Sequence, residues 1–102
     1  MVEGAVYVKV WQIRLGETMV AVCDCDVMGK KITDGKLVLD VCKEFYGEEK
    51  IAADAAIDLL KRATVANLVG KDAVKCGIEA GLIHREAVIC VGGVQHAQFI
   101  QI

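Results

Sequence analysis

The chain contains no proline. Its reversals must therefore be made by Gly, Asp and Asn, and no loop has a φ angle fixed by a ring. Aromatic residues are scarce, with two Phe, two Tyr and one Trp. That leaves little for the stacking platforms of single-strand binders. Trp11 sits inside a strong strand pattern, so it reads as a packing residue, as do Tyr7 and Tyr46. No apolar run approaches the roughly 18 to 20 residues of a membrane span. Met1-Val2-Glu3-Gly4 lacks the basic flank and apolar stretch of a signal peptide. The expectation is a cytoplasmic protein with no membrane contact. Charge of one sign is also missing. Twelve Lys/Arg stand against 14 Asp/Glu, giving a net charge of −2. A basic face for strong nonspecific nucleic-acid binding would have to come from local arrangement, for example Lys30, Lys31, Lys36 and Lys43.

The five cysteines, Cys23, Cys25, Cys42, Cys76 and Cys90, are odd in number and sit among apolar neighbours. They read as buried thiols rather than a disulfide framework. Cys23-Asp24-Cys25-Asp26 sets two cysteines two apart, on one face if the segment is a strand. A structural zinc site needs a second ligand pair, which the sequence does not supply, so no metal is expected. There is no P-loop, no Rossmann fingerprint and no Gly-x-Ser-x-Gly elbow. Any of the thiols could in principle pair with His84 or His96 as a nucleophile, but no family signature surrounds them. Nothing calls for a cofactor, and the balance leans against an enzyme.

At 102 residues, 55% of them hydrophobic, the chain can bury one core and is expected to form a single domain over 1–102. Val6, Val8 and Val10 alternate with Tyr7, Lys9 and Trp11, which predicts a strand. Leu15-Gly16-Glu17 turns into a second strand over Thr18 to Cys25. Thr33-Asp34-Gly35 is a turn, and Lys36 to Cys42 is a third strand. Lys43 to Lys50 is a loop. From Glu48 the period becomes helical, with Ala52, Ala56, Leu59, Leu60 and Ala63 on one stripe that can run on to a cap at Gly70. A second helix spans about Asp72 to Ala80 and stops at Gly81. Gly77 inside it implies close packing against a neighbour. Ala87 to Val91 and Val94 to Ile102 are the last strands. The order β-β-β-α-α-β-β predicts an α+β fold: a mostly antiparallel five-stranded sheet with two or three helices packed on one face.

The most distinctive stretch is Val91-Gly92-Gly93-Val94-Gln95-His96-Ala97-Gln98. Paired glycines permit a tight turn or a close approach to a ligand. Beyond them, His96 and Gln98 share one strand face while Ala97 and Phe99 share the other, so the core lies on the Phe99 side. His96 and Gln98 are then either a solvated face or part of a recognition surface. Asn67, on the continued helical stripe, either bonds a loop carbonyl or caps the helix end before Gly70, or it reaches this segment and shapes a pocket. Glycine amides can take an anion such as phosphate, while amides and imidazole can read base edges.

Successive blocks resemble one family: Ala21-Val22-Cys23-Asp24, Met28-Gly29-Lys30, Phe45-Tyr46-Gly47, Ala66-Asn67-Leu68-Val69-Gly70, Ala80-Gly81-Leu82-Ile83 and the final block at Val91–Gln98. The chain is similar to members of the archaeal domain of unknown function 424. The family pattern has a proline where Gln95 stands here. The resemblance implies an archaeal, cytosolic, stand-alone domain, and it brings no activity, cofactor or catalytic residue. The reading that results is a noncatalytic binding module for RNA or a ribonucleoprotein. Its binding residues would be Asn67, Gly92, Gly93, His96 and Gln98, with Lys30 and Lys31 toward phosphate. The alternatives are a small enzyme centred on His96, and a protein-interaction or homodimerisation module.

Overall fold

The computed structural model describes residues 2–102. In chain order the elements are β1 (Ala5–Arg14), β2 (Glu17–Asp24), β3 (Lys31–Asp34), β4 (Leu37–Asp40), α1 (Lys43–Tyr46), β5 (Glu49–Ala52), α2 (Ala53–Leu60), β6 (Val65–Val69), α3 (Lys71–Glu79), β7 (Ile89–Val91) and β8 (Val94–Ile100). Short 3-10 turns lie at Cys25–Val27 and Arg85–Ala87. The fold is α+β, as the sequence predicts. Six strands form one sheet in the order β5-β1-β2-β6-β8-β7, and β3 with β4 forms a separate hairpin. All neighbours in the main sheet are antiparallel except β2 and β6. Among the described residues, no helix is long and apolar enough to cross a membrane.

The sheet has six strands rather than five, and the differences have physical causes. The helical stripe expected from Glu48 to Gly70 is divided. Glu49–Ala52 is a strand along Ala5–Val8, α2 is confined to Ala53–Leu60, and Val65–Val69 is a strand. β6 lies between β2 and β8, and Leu68 and Val69, on its opposite faces, are both fully buried. A strand covered on both faces is apolar throughout and loses the alternation that would identify it. Asn67 is therefore a strand residue, not part of a helical stripe. The predicted third strand, Lys36 to Cys42, falls outside the main sheet. Its centre forms β4, paired only with β3. Lys43 to Lys50 contains the one-turn helix α1 rather than loop alone.

Two cores flank the sheet. On one face, Val6, Val8, Val20, Val22, Ala66, Leu68 and Ala97 pack against Ala53, Ala56, Ile57 and Leu60 of α2 and Ala73, Val74 and Cys76 of α3. On the other, Ala21, Cys23 and Val69 pack with Val27, Val41 and Tyr46, and the hairpin adds Ile32 and Leu39. So α2 and α3 share one face as expected, while α1 and the β3–β4 hairpin lie on the opposite one.

Asp24, at the end of β2, is 5% exposed, and its two carboxylate oxygens accept the N–H groups of Asp72 (3.1 Å) and Ala73 (2.8 Å). These are free donors of the first turn of α3, which a carboxylate satisfies both as a cap and through the helix dipole. Gly70 makes the approach feasible. It has φ +105°, and a Cβ there would overlap the Asp24 side chain. Burial still pushes the Asp24 carboxyl above its ordinary value of 3.8, although the two N–H bonds pull it down.

Two stability predictions follow from these contacts. A Cβ at Gly77 would overlap Leu68 Cδ1 and lie 2.9 Å from Ile83 Cγ1. Gly77→Ala should therefore lose about 1–3 kcal/mol in urea unfolding from overpacking, against the gain of about 1 kcal/mol it would bring in an open helix. Asp24→Asn removes the ionisable group. A folded-state pKa above the unfolded value gives stability that is fully present below the unfolded pKa and lost as pH rises through the folded one. The wild-type unfolding free energy, measured against that of Asp24→Asn, should fall as pH rises from below 3.8 through the raised value. A rise over that window would mean that the two N–H bonds outweigh burial.

Candidate functional site

β6 and β8 place Asn67, His96 and Gln98 on one face. Asn67 lies directly opposite Gln98, and His96 lies opposite Val69. This is the face of Ala21, Cys23 and Val69, with Ala97 buried on the helix side, so the predicted direction of the strand holds. The Nδ1–H of His96 donates to the carbonyl of Leu68 at 2.9 Å. Asn67 Oδ1 accepts the phenolic O–H of Tyr46 at 2.7 Å. Tyr46 is 4% exposed, and its burial pushes the phenol well up, so it remains protonated. Asn67 thus bonds a side chain of α1 and is the cross-strand neighbour of Gln98, rather than meeting a loop carbonyl.

Gly92 and Gly93 form the β7–β8 turn with φ +55° and +82°, the two positive angles of a type I′ hairpin. The Gly92 N–H donates to Asp34 Oδ2 at 3.1 Å, and a Cβ on Gly92 would lie 2.6 Å from Ile32 Cγ2. The paired glycines seal the junction between two hairpins, and the Gly92 amide already has its anion. Lys30 and Lys31 lead into β3, on the hairpin that covers the Cys23–Val69–Val94 end of the face. They do not join the Asn67–Gln98 row.

At the other end of the same face the register aligns Trp11, Met19, Val65 and Ile100 across four strands. The first three are half-buried and Ile100 is 67% exposed. The Trp11 ring is fixed: its Nε1–H donates to the Phe45 carbonyl at 3.0 Å and the Lys9 ammonium sits 4.2 Å above it. Trp11 is held by packing, as the sequence suggests. This row escapes sequence reasoning because its members are far apart in the chain and only cross-strand register aligns them. Asp24 is a second residue missed. An isolated acid at the end of the apolar run Val20–Cys23, together with the later Gly70, is its only trace in the sequence.

The chemistry available elsewhere is limited. Among the described residues the His96 ring hydrogen-bonds a backbone carbonyl alone, with no thiol or carboxylate in hydrogen-bond reach. Burial pushes the Cys23 thiol up to about 12 and the Cys76 thiol to about 11, the opposite of an activated nucleophile. β2 ends at Asp24, so Cys25 starts a turn instead of sharing a strand face with Cys23, and its Sγ–H meets the Ala5 carbonyl at 3.4 Å. Among the described residues, no three His, Cys, Asp or Glu are grouped to hold a metal ion. A cavity of about 700 Å³ lies beside β1 and is lined by Val8, Val10, Ile51 and Leu59 with Lys9, Lys43, Glu48 and Glu49. A second cavity of about 310 Å³ opens at the start of α3, beside Asp24, Gly70, Lys71 and Gln95. A helix start usually suits an anion, but here the Asp24 carboxylate already holds the amide donors.

No curated protein matches the chain. A crystal structure of an uncharacterized conserved protein from Methanopyrus kandleri is similar, with a TM-score of 0.81 at 21% identity, covering 97% of this chain and 95% of that one. At that identity the likeness concerns the fold alone. The family described as "Protein of unknown function (DUF424)" matches residues 14–102. That span takes in β2 through β8, the Asp24 cap and every residue of the polar row, and the chain belongs to this family.

Proposed function

We propose that the protein is a noncatalytic, single-domain binding module, and that its contact surface is the open part of the sheet face bearing Asn67, His96 and Gln98. Its partner is a single-stranded segment of RNA, free or within a ribonucleoprotein. The observation that carries this reading is the meeting of two rows on one face. Amide and imidazole groups stand on β6 and β8, and the half-exposed apolar row of Met19, Val65 and Ile100 lies beside them. Base edges hydrogen-bond to amides and imidazole, and the apolar row offers base faces a nonpolar contact in place of the aromatic platforms of which this chain has few. Gly92 and Gly93 contribute by setting the hairpin that delivers β8. Lys30 and Lys31 lie at the far end of the face, where a longer strand would reach them. With a net charge of −2, affinity has to come from local contacts rather than from the phosphate backbone. Five free thiols suit a cytoplasmic setting.

The test is an amide chemical-shift titration of the isotope-labelled protein with short single-stranded RNA of mixed sequence. Shifts should concentrate in Val65–Val69 and His96–Ile100. The double variant His96→Ala, Gln98→Ala should bind at least tenfold more weakly with an unchanged melting temperature. If saturating RNA moves no resonance, or moves only the α2–α3 side, the reading is wrong. A protein partner is then the next candidate for the apolar row.

A further inference from the structure

We infer that Asn67 and His96 give the polar row a set hydrogen-bonding polarity: Asn67 presents its amide N–H donors and the neutral His96 ring presents a bare Nε2 acceptor, so the row takes a planar group that sets an acceptor beside a donor, as a nucleobase edge does, in preference to an acceptor-only anion. The ligand class rests on the RNA reading of the same face; the polarity itself is a property of the free protein.

Asn67 is oriented from behind. The Tyr46 hydroxyl is buried and must find an acceptor, and the one it meets is Asn67 Oδ1, at 2.7 Å. With its oxygen turned toward Tyr46, the amide is oriented, and its Nδ2 donors are left free for a ligand. His96 is oriented in the same way. A carbonyl oxygen only accepts, so the ring nitrogen 2.9 Å from Leu68 O must be protonated. In neutral imidazole the remaining nitrogen is then a bare acceptor. Neither Asn67 Nδ2 nor His96 Nε2 has a partner among the described residues. No buried side-chain nitrogen or oxygen there lacks one, so both atoms reach the surface.

The placement suits a ligand of limited size. Asn67 stands opposite Gln98, and His96 is two residues along β8 from Gln98. Asn67 and His96 are thus diagonal neighbours, about 7–8 Å apart in a sheet. Gln98, opposite the one and two residues from the other, has no side-chain partner among the described residues and can rotate its amide to match either neighbour. A phosphodiester, sulfate or carboxylate brings only acceptors and would set its lone pairs against that of the neutral ring's Nε2. A base edge brings both kinds of group, which this row needs.

The first test needs no ligand. Long-range proton–nitrogen spectra of the free protein, well above the usual histidine pKa, should show His96 protonated at Nδ1 and bare at Nε2. The opposite tautomer overturns the inference even if RNA binds. The second test is Asn67→Asp, which keeps the acceptor for Tyr46 but removes the donors. It should weaken binding of single-stranded RNA at least tenfold while the His96 spectrum stays as in wild type; unchanged affinity overturns the inference. Sulfate, which brings only acceptors, should at millimolar concentration leave Nε2 unshifted at the same pH, and a saturable shift overturns the inference. If the tautomer is as stated but RNA does not bind, the ligand class fails and the polarity stands.

Discussion

The contact between Asp24 and the first turn of α3 ties the molecule together. One carboxylate at the end of β2 receives two backbone N–H groups of a helix that follows β6. It joins the parallel pair at the centre of the sheet to the helix layer. The contact requires Gly70, because any side chain there would occupy the space of the carboxylate. Gly70 in turn donates its own N–H to the Gln95 carbonyl at 2.8 Å, which brings β8 into the same junction. The register that puts Asn67 opposite Gln98 is set a few residues from this point. The polar row is thus held by a network whose members all lie outside it.

The two faces of the sheet are covered unequally. The helix side is closed by α2 and α3, whose small buried residues Ala53, Ala56 and Ala73 let the helices approach closely. The other side is closed only where α1 and the β3–β4 hairpin reach. Tyr46 marks the limit of that cover, packing its ring in the second core and giving its hydroxyl to Asn67. Beyond it the face is open, with half-buried apolar side chains and amide groups side by side. Elsewhere the buried thiols are pushed toward the neutral form and the helix start is already occupied.

Much of the architecture was legible in the sequence because its signals were local. The Val6–Val10 alternation gave β1, Gly16 and Gly81 marked real boundaries, and the Gly92-Gly93 pair gave the last hairpin. Gly77 was correctly read as a point of close packing. The errors came where tertiary context decides. Val65–Val69 carries apolar residues on both faces, interrupted only by Asn67, and continued a helical stripe by coincidence of spacing. Glu49–Ala52 is a strand only because Ala5–Val8 pairs with it, and Leu37–Asp40 sits in a separate hairpin for want of a neighbour in the main sheet. For the candidate site, the face of His96 and Gln98 could be foreseen from alternation. The bonds of Asn67 to Tyr46 and of His96 to Leu68 could not, since they join residues 21 and 28 positions apart.

The outermost strands of the sheet are among its shortest, four residues in β5 and three in β7. An incoming strand would find few unpaired backbone groups on either flank. Where β1 extends past β5, it carries Lys9 and then a break in register between Gln12 and Arg14. Short, charged and irregular flanks are the features that stop sheets from adding to one another. Growth by strand addition is therefore discouraged, despite exposed side chains such as Ile89 on the outermost strand. The sheet thus offers its broad open face, rather than its margin, as uninterrupted surface.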